Sequence, residues 1–177
     1  PAAPIPECLA ASDAQRRVVD TAGYLDDESY SRLDRILGKL ESDTDFSVRV
    51  LTRSRRAASV VDEEENWTRS QPSNILRCGF NSAPTSSTIL IVADRGIAGA
   101  LDAGSSFITF PYIGDTVQFA LPGVYWSRLQ REYGRKSFVE KRGEAASIIV
   151  SCEQVITCLR SEEQSCTTVP PASISFF

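Results

Sequence analysis

The 177-residue sequence contains no histidine, and this absence excludes several classes of catalytic site. Ser-His-Asp and Cys-His catalysis need an imidazole, as do histidine proton shuttles and His-containing metal sites. Methionine is also absent, and the chain begins with Pro-Ala-Ala-Pro, so we expect either a processed mature end or a cloning boundary. A removed targeting peptide is the simpler account, and it predicts delivery of the protein to another compartment.

Three further features of known binding proteins are missing. The sequence has no run of about 20 apolar residues, so it predicts no membrane-spanning helix. The net charge of −4 disfavours a general nucleic-acid-binding protein, which needs a basic surface to neutralise phosphates. Gly96, Gly99 and Gly104 do not have the spacing of a dinucleotide-binding loop or a P-loop, so we interpret them as turn and close-packing residues.

The five cysteines contain no Cys-x-x-Cys pair, which disfavours a zinc ribbon or a thioredoxin-type site. An odd number leaves at least one thiol unpaired, and in an oxidising compartment the remaining cysteines allow two disulfides. Cys152 lies on an apolar helical stripe and is predicted to be a buried thiol. Cys158 and Cys166 are disulfide candidates that would attach the C-terminal tail to the last helix, and the pairing of Cys8 and Cys78 stays open.

The clearest structural pattern lies between residues 18 and 53. Asp26 has the position of an N-cap, where its carboxylate accepts hydrogen bonds from the first turn of a helix. The apolar residues that follow share one helical face: Tyr30, Leu33, Ile36, Leu37 and Leu40. After a polar turn, Phe46, Val48 and Val50 alternate with other residues and predict a strand.

The start of this segment has the pattern V-x-D-x-A-G-x-L, formed by Val18, Asp20, Ala22, Gly23 and Leu25. Followed by a capped helix and a β-rich stretch, it resembles the opening of TPM domains. That family includes thylakoid-lumen proteins of photosystem II, a nematode receptor modulator and bacterial membrane-associated proteins. The resemblance covers roughly residues 18–159, and it implies a location in the thylakoid lumen or in another extracytoplasmic compartment.

The patterns and the resemblance together predict an α/β fold, a TPM-like central mixed β-sheet covered by helices on its faces. Strands are predicted at residues 46–52, 88–93 and 97–101, the last two as an antiparallel hairpin. Helices are predicted at about residues 27–40, 63–70, 124–133 and 144–160, with a surface loop at 71–87. We expect an extended N-terminal arm at residues 1–17, one domain at 18–160 and a C-terminal tail at 161–177.

Carboxylates near the predicted loops are the only side chains in the sequence that suggest a catalytic site. If they cluster, their oxygen atoms are the ligands that Ca²⁺ or Mg²⁺ prefers. The candidate metal ligands are Asp20, Asp94 and Asp102, with Ca²⁺ as the candidate ion. Because plant lumenal relatives are described as acid phosphatases, the resemblance implies a metal-dependent phosphatase as one function. TPM domains often carry Asp-Asn-Gly before the central strand, where this chain has Ser86-Ser87-Thr88, and this departure weakens the predicted metal site.

The alternative is a non-catalytic accessory protein that binds a membrane protein complex from the lumenal side. The resemblance implies photosystem II as the complex, with a role in assembly, repair or stabilisation. The predicted partner-binding residues are basic side chains in two segments and two terminal aromatic ones: Arg53, Arg55, Arg56, Arg128, Arg131, Arg135, Lys136, Phe176 and Phe177. This function needs no catalytic site, so we favour it over the phosphatase.

Overall fold

The computed structural model describes residues 16–54, 71–96 and 104–161, together with Cys166. The strands in these ranges are β1 (Val18–Asp20), β2 (Ser47–Arg53), β3 (Thr88–Asp94) and β4 (Ile108–Ile113). The helices are α1 (Asp27–Asp43), α2 (Pro72–Phe80), α3 (Asp115–Ala120), α4 (Gly123–Tyr133), α5 (Lys136–Arg142) and α6 (Glu144–Arg160).

The four strands form one mixed sheet in the order β1-β2-β3-β4. The first three are parallel, with Asp20 opposite Thr52 and Arg53 opposite Asp94, whereas β4 is antiparallel to β3. This arrangement confirms the predicted α/β fold with a mixed sheet. The carboxyl ends of the three parallel strands therefore lie at one edge of the sheet, where open α/β sheets place their ligands.

Among the described residues, the two faces of the sheet are covered to different extents. Alternate side chains of the strands point to opposite faces, so each strand contributes to two apolar layers. The larger layer packs the sheet against α1, α4 and α6, and the smaller layer packs it against α2. At the centre, β3 is buried along nearly its whole length, which is the pattern predicted for its uninterrupted apolar sequence.

At the outer edge of the sheet, β4 contains Pro111. The register with β3 shifts between Leu90 and Val92, so β4 has a bulge at this point. Proline has no amide hydrogen and is tolerated in sheets only at edges and bulges, and β4 offers both. An aromatic-rich segment without clean periodicity is thus able to form an edge strand.

The predicted surface loop at residues 71–87 is wrong for its first half, because α2 occupies Pro72–Phe80. Proline is favoured in the first turn of a helix, where its missing N–H has no partner to lose. Ile75, Leu76 and Phe80 are buried against the smaller face of the sheet. This burial stabilises a short helix whose Pro, Ser, Asn and Gly content is typical of a loop.

Two other predictions concern segments that the structure does not describe. The return strand at 97–101 and the helix at 63–70 both lie outside the described residues. The antiparallel partner of β3 in the described ranges is β4, later in the chain than predicted. The predicted helices at 27–40, 124–133 and 144–160 are confirmed as α1, α4 and α6, and α3 and α5 are additional helices.

Candidate functional site

Asp20, the first predicted metal ligand, lies at the carboxyl end of β1 and organises the turn that follows it. Its Oδ1 accepts a hydrogen bond from the amide of Tyr24 and its Oδ2 from the amide of Leu25, each at 3.0 Å. The hydroxyl of Thr52, its neighbour on β2, also donates to Oδ1. The carboxylate therefore accepts three hydrogen bonds from the protein, and these fix the path of the chain between β1 and α1.

Asp94, the second predicted ligand, lies at the carboxyl end of β3 and pairs with Arg53 on β2. The Nε of Arg53 is 2.9 Å from Oδ2 of Asp94, and both side chains are largely buried. The amide of Gly96 donates to the other carboxylate oxygen at 2.7 Å. Arg53, predicted as a partner-binding residue, is in an ion pair at the end of the sheet, and its binding role stays a prediction.

Strand alternation places the two aspartates on opposite faces of the sheet. Asp20 shares the face of Val18, which belongs to the larger apolar layer, and Asp94 shares the face of Val92, in the smaller one. Asp102 lies outside the described residues. Within the described ranges, no three His, Cys, Asp or Glu side chains form a group that suits a metal ion. A calcium site at these residues stays a prediction.

Tyr24 and the ion pair between Arg95 and Glu144 belong to the same region, at the carboxyl ends of the strands. The Tyr24 ring contacts Phe107 edge-on, with ring centroids 5.4 Å apart, and burial raises the pKa of its hydroxyl. Arg95, directly after β3, pairs with Glu144 in the first turn of α6 at 2.7 Å. The first turn of a helix favours a negative charge, so Glu144 is stabilised by both the arginine and the helix dipole. We name the side chains that form this set the strand-end network: Asp20, Tyr24, Thr52, Arg53, Asp94, Arg95 and Glu144.

A second matched set of charges lies beside β2. Arg49 is only 2% exposed, and its Nη2 is 2.9 Å from Oε1 of Glu41, near the end of α1. Arg17 contributes its Nε to the other oxygen of Glu41, also at 2.9 Å. Partial burial alone would raise the pKa of Glu41, but the hydrogen bonds and charges of Arg49 and Arg17 outweigh it and lower the pKa. A buried guanidinium is thus neutralised by one carboxylate.

The cysteines of the described ranges do not offer an accessible thiol. Cys158 at the end of α6 and Cys166 are joined by a disulfide, the pair that the sequence put forward as candidates. Cys152 is free and fully buried, as predicted, and burial raises the pKa of its thiol. Because the thiolate is the reactive form, this residue has the environment of a core side chain.

The exposed side of α4 has a different composition from both charge networks. Val124, Ser127, Arg128 and Arg131 are all exposed and are spaced i, i+3, i+4 and i+7, so they share one face of the helix. Arg135 and Lys136, just beyond the end of α4, are exposed as well. We name these residues the basic face: Arg128, Arg131, Arg135 and Lys136.

The basic face belongs to a segment whose charge opposes that of the chain. Residues 115–142 contain six Lys or Arg side chains and three acidic ones, which gives a formal charge of +3. The whole chain carries −4, so the remaining residues carry −7. Charge is therefore segregated along the sequence, and segregation at a protein surface is a general source of local potential that attracts surfaces of opposite charge.

Two exposed apolar side chains, absent from the sequence prediction, lie in the chain segment just before the basic face. Phe119 on α3 is 85% exposed and Val124 at the start of α4 is 58% exposed. Val117 and Leu121, which flank Phe119 at two residues on either side, are buried, so Phe119 lies off the apolar stripe of its helix. This position is the one signal by which the sequence indicates that Phe119 faces solvent. We name Phe119, Pro122 and Val124 the apolar tip.

The remaining predicted partner-binding residues, Arg55, Arg56, Phe176 and Phe177, lie outside the described residues. No helix in the described ranges is long and apolar enough to cross a membrane. The geometry thus separates the predicted site residues into two groups. Asp20, Arg53 and Asp94 belong to the strand-end network, whereas Arg128, Arg131, Arg135 and Lys136 face solvent.

Comparison with known proteins identifies relatives of two kinds. The sequence is 27% identical over 143 residues to the thylakoid lumenal 15.0 kDa protein 2 of the Arabidopsis thaliana chloroplast. The match covers 81% of this chain and 54% of that protein, so the chain spans about half the length of the curated relative. No protein-family model matches the sequence. The expected location in the thylakoid lumen is confirmed by this relative.

The fold also has a counterpart among solved structures. The solution NMR structure of the N-terminal domain of a protein from P. gingivalis superimposes with a TM-score of 0.58 and 18% sequence identity. The match covers 84% of each chain, and at this identity it establishes the fold alone. The chain thus resembles a thylakoid lumenal protein in sequence and shares its α/β architecture with the bacterial domain.

Proposed function

We propose that this chain is a non-catalytic accessory protein of the thylakoid lumen that binds a membrane protein complex from the lumenal side. Photosystem II is the most concrete partner, because the opening of the sequence resembles TPM proteins of that system. The observation that carries the proposal is the charge segregation of the molecule. The segment of residues 115–142 has a charge of +3 and contains the exposed basic face, while the rest of the chain carries −7.

The interior charges support the same interpretation. In the strand-end network, Asp20 accepts backbone and hydroxyl hydrogen bonds, and Arg53 neutralises Asp94. These groups stabilise turns and strand ends, which is a sufficient reason for their presence. The side chains of the basic face are exposed at the surface, where a partner can reach them, and the ion pair of Lys136 with Glu140 lies at the surface as well.

The test is co-purification with photosystem II after gentle solubilisation of thylakoid membranes, followed by native mass spectrometry. We expect photosystem II subunits at fixed stoichiometry and release of the protein at high salt, because exposed charges are screened beyond about 8 Å at physiological ionic strength. The double variant Arg128→Glu/Arg131→Glu is expected to lose co-purification. Recovery of the wild-type protein alone, at low salt, contradicts the proposal.

A matched control is available on α1. Arg35 and Lys39 are exposed and lie one helical turn apart, so Arg35→Glu/Lys39→Glu makes the same change in net charge at another place. We expect this variant to co-purify as the wild type does. Equal loss in both variants would show that net charge, rather than the basic face, governs association.

The second candidate function is the metal-dependent phosphatase. No contact within the described residues favours it, and it stays a prediction from the resemblance and the carboxylates. Its test is Asp20→Asn, which retains one acceptor oxygen for the turn between β1 and α1. Loss of phosphate-ester hydrolysis in a variant that folds normally would support the phosphatase, and unchanged hydrolysis would assign the activity to a contaminant.

A further inference from the structure

The apolar tip is held rigidly by contacts with the core. Leu121, between α3 and α4, is buried, and its carbonyl accepts a hydrogen bond from the indole N–H of Trp126 at 3.1 Å. The amide of Tyr125 donates to the carbonyl of Pro122 at 2.9 Å and closes the first turn of α4. Trp126 itself packs against Phe110 of β4, with ring centroids 4.8 Å apart. The tip therefore has a fixed path.

The start of α3 is fixed as well. The amide of Thr116 donates to the carbonyl of Ser86 at 2.9 Å. Gly114, the N-cap residue, packs so closely on the backbone of Thr85 and Ser86 that a Cβ there would clash. The side chain of Gln118 donates to the carbonyl of Ile113 at 2.8 Å. A rigid support lowers the entropic cost of binding, because little of the backbone needs to be ordered.

Phe119 offers a partner an aromatic surface that its own chain leaves uncovered. An aromatic side chain that is 85% exposed leaves most of its apolar surface in water. Phenylalanine is among the residues enriched in the cores of protein interfaces, and arginine is the other enriched type that this surface contains. The apolar tip and the basic face are continuous along α4 through Val124 and Arg128, one helical turn apart.

We propose that the apolar tip and the basic face form one docking surface for a protein with an apolar pocket bordered by carboxylates. Phe119 fills the pocket, Val124 covers its rim, and Arg128 and Arg131 face the carboxylates. We infer the kind of partner from charge complementarity. The basic face is positive although the chain has a net charge of −4, so it favours binding to an acidic protein surface. This inference rests on the proposed function and specifies which part of the molecule makes the contact.

The two halves of the surface are expected to act on different kinetic steps. Exposed charges at the rim of an interface steer the encounter, so they change the association rate and its salt dependence. A buried aromatic anchor retains the complex, so its loss is seen in the dissociation rate. Phe119→Ser is thus expected to raise the dissociation rate, with the salt dependence unchanged.

The experiment measures binding of the full chain to detergent-solubilised photosystem II by surface plasmon resonance at several salt concentrations. We expect Phe119→Ser to weaken binding about 30-fold, the size typical of a hot-spot residue. Phe119→Leu, which retains an apolar side chain, is expected to stay within about threefold of the wild type. Arg128→Glu/Arg131→Glu is expected to slow association and flatten the salt dependence. All variants should retain the wild-type melting temperature, because the changed side chains are exposed.

Each outcome decides a separate point. If the wild type binds and Phe119→Ser binds equally well, this inference is overturned and the proposed function survives. If the wild type does not bind photosystem II, the proposed function fails, and the inference fails with it. Protein-free vesicles of phosphatidylcholine with phosphatidylglycerol serve as the last probe. Wild-type binding to them that equals binding to the complex and is lost in Phe119→Ser would make the occupant a lipid surface and overturn the protein partner.

Discussion

The charges at the ends of the strands and the charges on α4 differ in what surrounds them. Asp94 faces Arg53 and Asp20 faces backbone amides and Thr52, so both carboxylates have donors within the same chain. Arg128 and Arg131 project from the outer side of a helix into solvent. Interior charges are matched because an unmatched buried charge costs several kcal/mol, whereas an exposed charge contributes little to stability and is accessible to an external partner.

This contrast gives a criterion for separating structural from functional charges in the chain. Removal of a structural charge should lower the free energy of unfolding and leave binding intact in the fraction that folds. Removal of a functional charge should weaken binding and leave the free energy of unfolding unchanged. Four predictions follow from the criterion, in order of their expected effect on stability.

Glu41→Ala is expected to lower the free energy of unfolding by about 3 kcal/mol, because it leaves the buried guanidinium of Arg49 without its carboxylate. Chemical denaturation followed by circular dichroism measures the effect. Glu140→Ala is the control, since Glu140 is exposed and its pair with Lys136 is at the surface, where such pairs contribute about 0–1 kcal/mol. Equal stability of the two variants would show that Arg49 does not depend on Glu41.

Asp20→Ala is expected to lower the free energy of unfolding by about 2 kcal/mol, because two amides and one hydroxyl lose their acceptor. The thermal midpoint should fall by roughly 4–8 °C for a chain of this size. Asp45→Ala, at an exposed position between α1 and β2, serves as the control and should stay within about 0.5 kcal/mol of the wild type. An unchanged midpoint in Asp20→Ala would remove Asp20 from the structural group.

Lowering the pH should remove part of the stabilisation that Glu41 contributes to the folded protein. Arg49 and Arg17 lower the pKa of Glu41 in the folded protein below its ordinary value of 4.5. The stabilisation is therefore complete above the unfolded-state pKa and is lost as the pH falls through the lower, folded-state pKa. Unfolding of the wild type and of Glu41→Gln, measured from pH 7 downwards, should converge in this acidic range. A constant gap between the two would contradict the assignment.

Arg128→Glu/Arg131→Glu should have the smallest effect on stability, within about 0.5 kcal/mol, because both side chains are exposed. The same variant is expected to lose the salt-sensitive association with photosystem II. It should therefore show the largest difference between the effect on binding and the effect on stability. Denaturation and co-purification are measured on one preparation. A marked loss of stability would show that these arginines are structural charges and would contradict the distinction between the two groups.

The sequence predicted most reliably those elements whose signals are local. Asp26 caps α1 through a hydrogen bond from the amide of Ser29 at 2.7 Å, and the apolar stripe behind it buries Leu33, Leu37 and Leu40 as predicted. The long helix α6 follows its stripe in the same way. These features depend on residues that are at most a few positions apart, so a pattern in the sequence contains them.

The elements that were missed depend on distant contacts. No side chain caps α2, and its short apolar set becomes helical only against the sheet. Likewise, β4 contains a proline and requires the bulge opposite β3. Tertiary packing overrides local propensity at both places, and a single sequence does not contain that packing.

The candidate site follows the same division. The basic character of residues 124–144 is a property of composition, and it was predicted. The pairing of Arg53 with Asp94 was not predicted, because it joins residues 41 positions apart through strand register. The exposure of Phe119 was not predicted either, since it depends on which side of a six-residue helix faces the core.

The proline in β4 has a consequence for how many copies of the chain can associate. An open sheet edge offers a row of amides and carbonyls to which another strand can add, and this is a common route to aggregation. Pro111 removes one donor from the chain at this edge, and the bulge beside it breaks the regular spacing of the others. A second molecule therefore finds no continuous ladder along β4, so this edge of the sheet resists the addition of a strand from another copy of the chain.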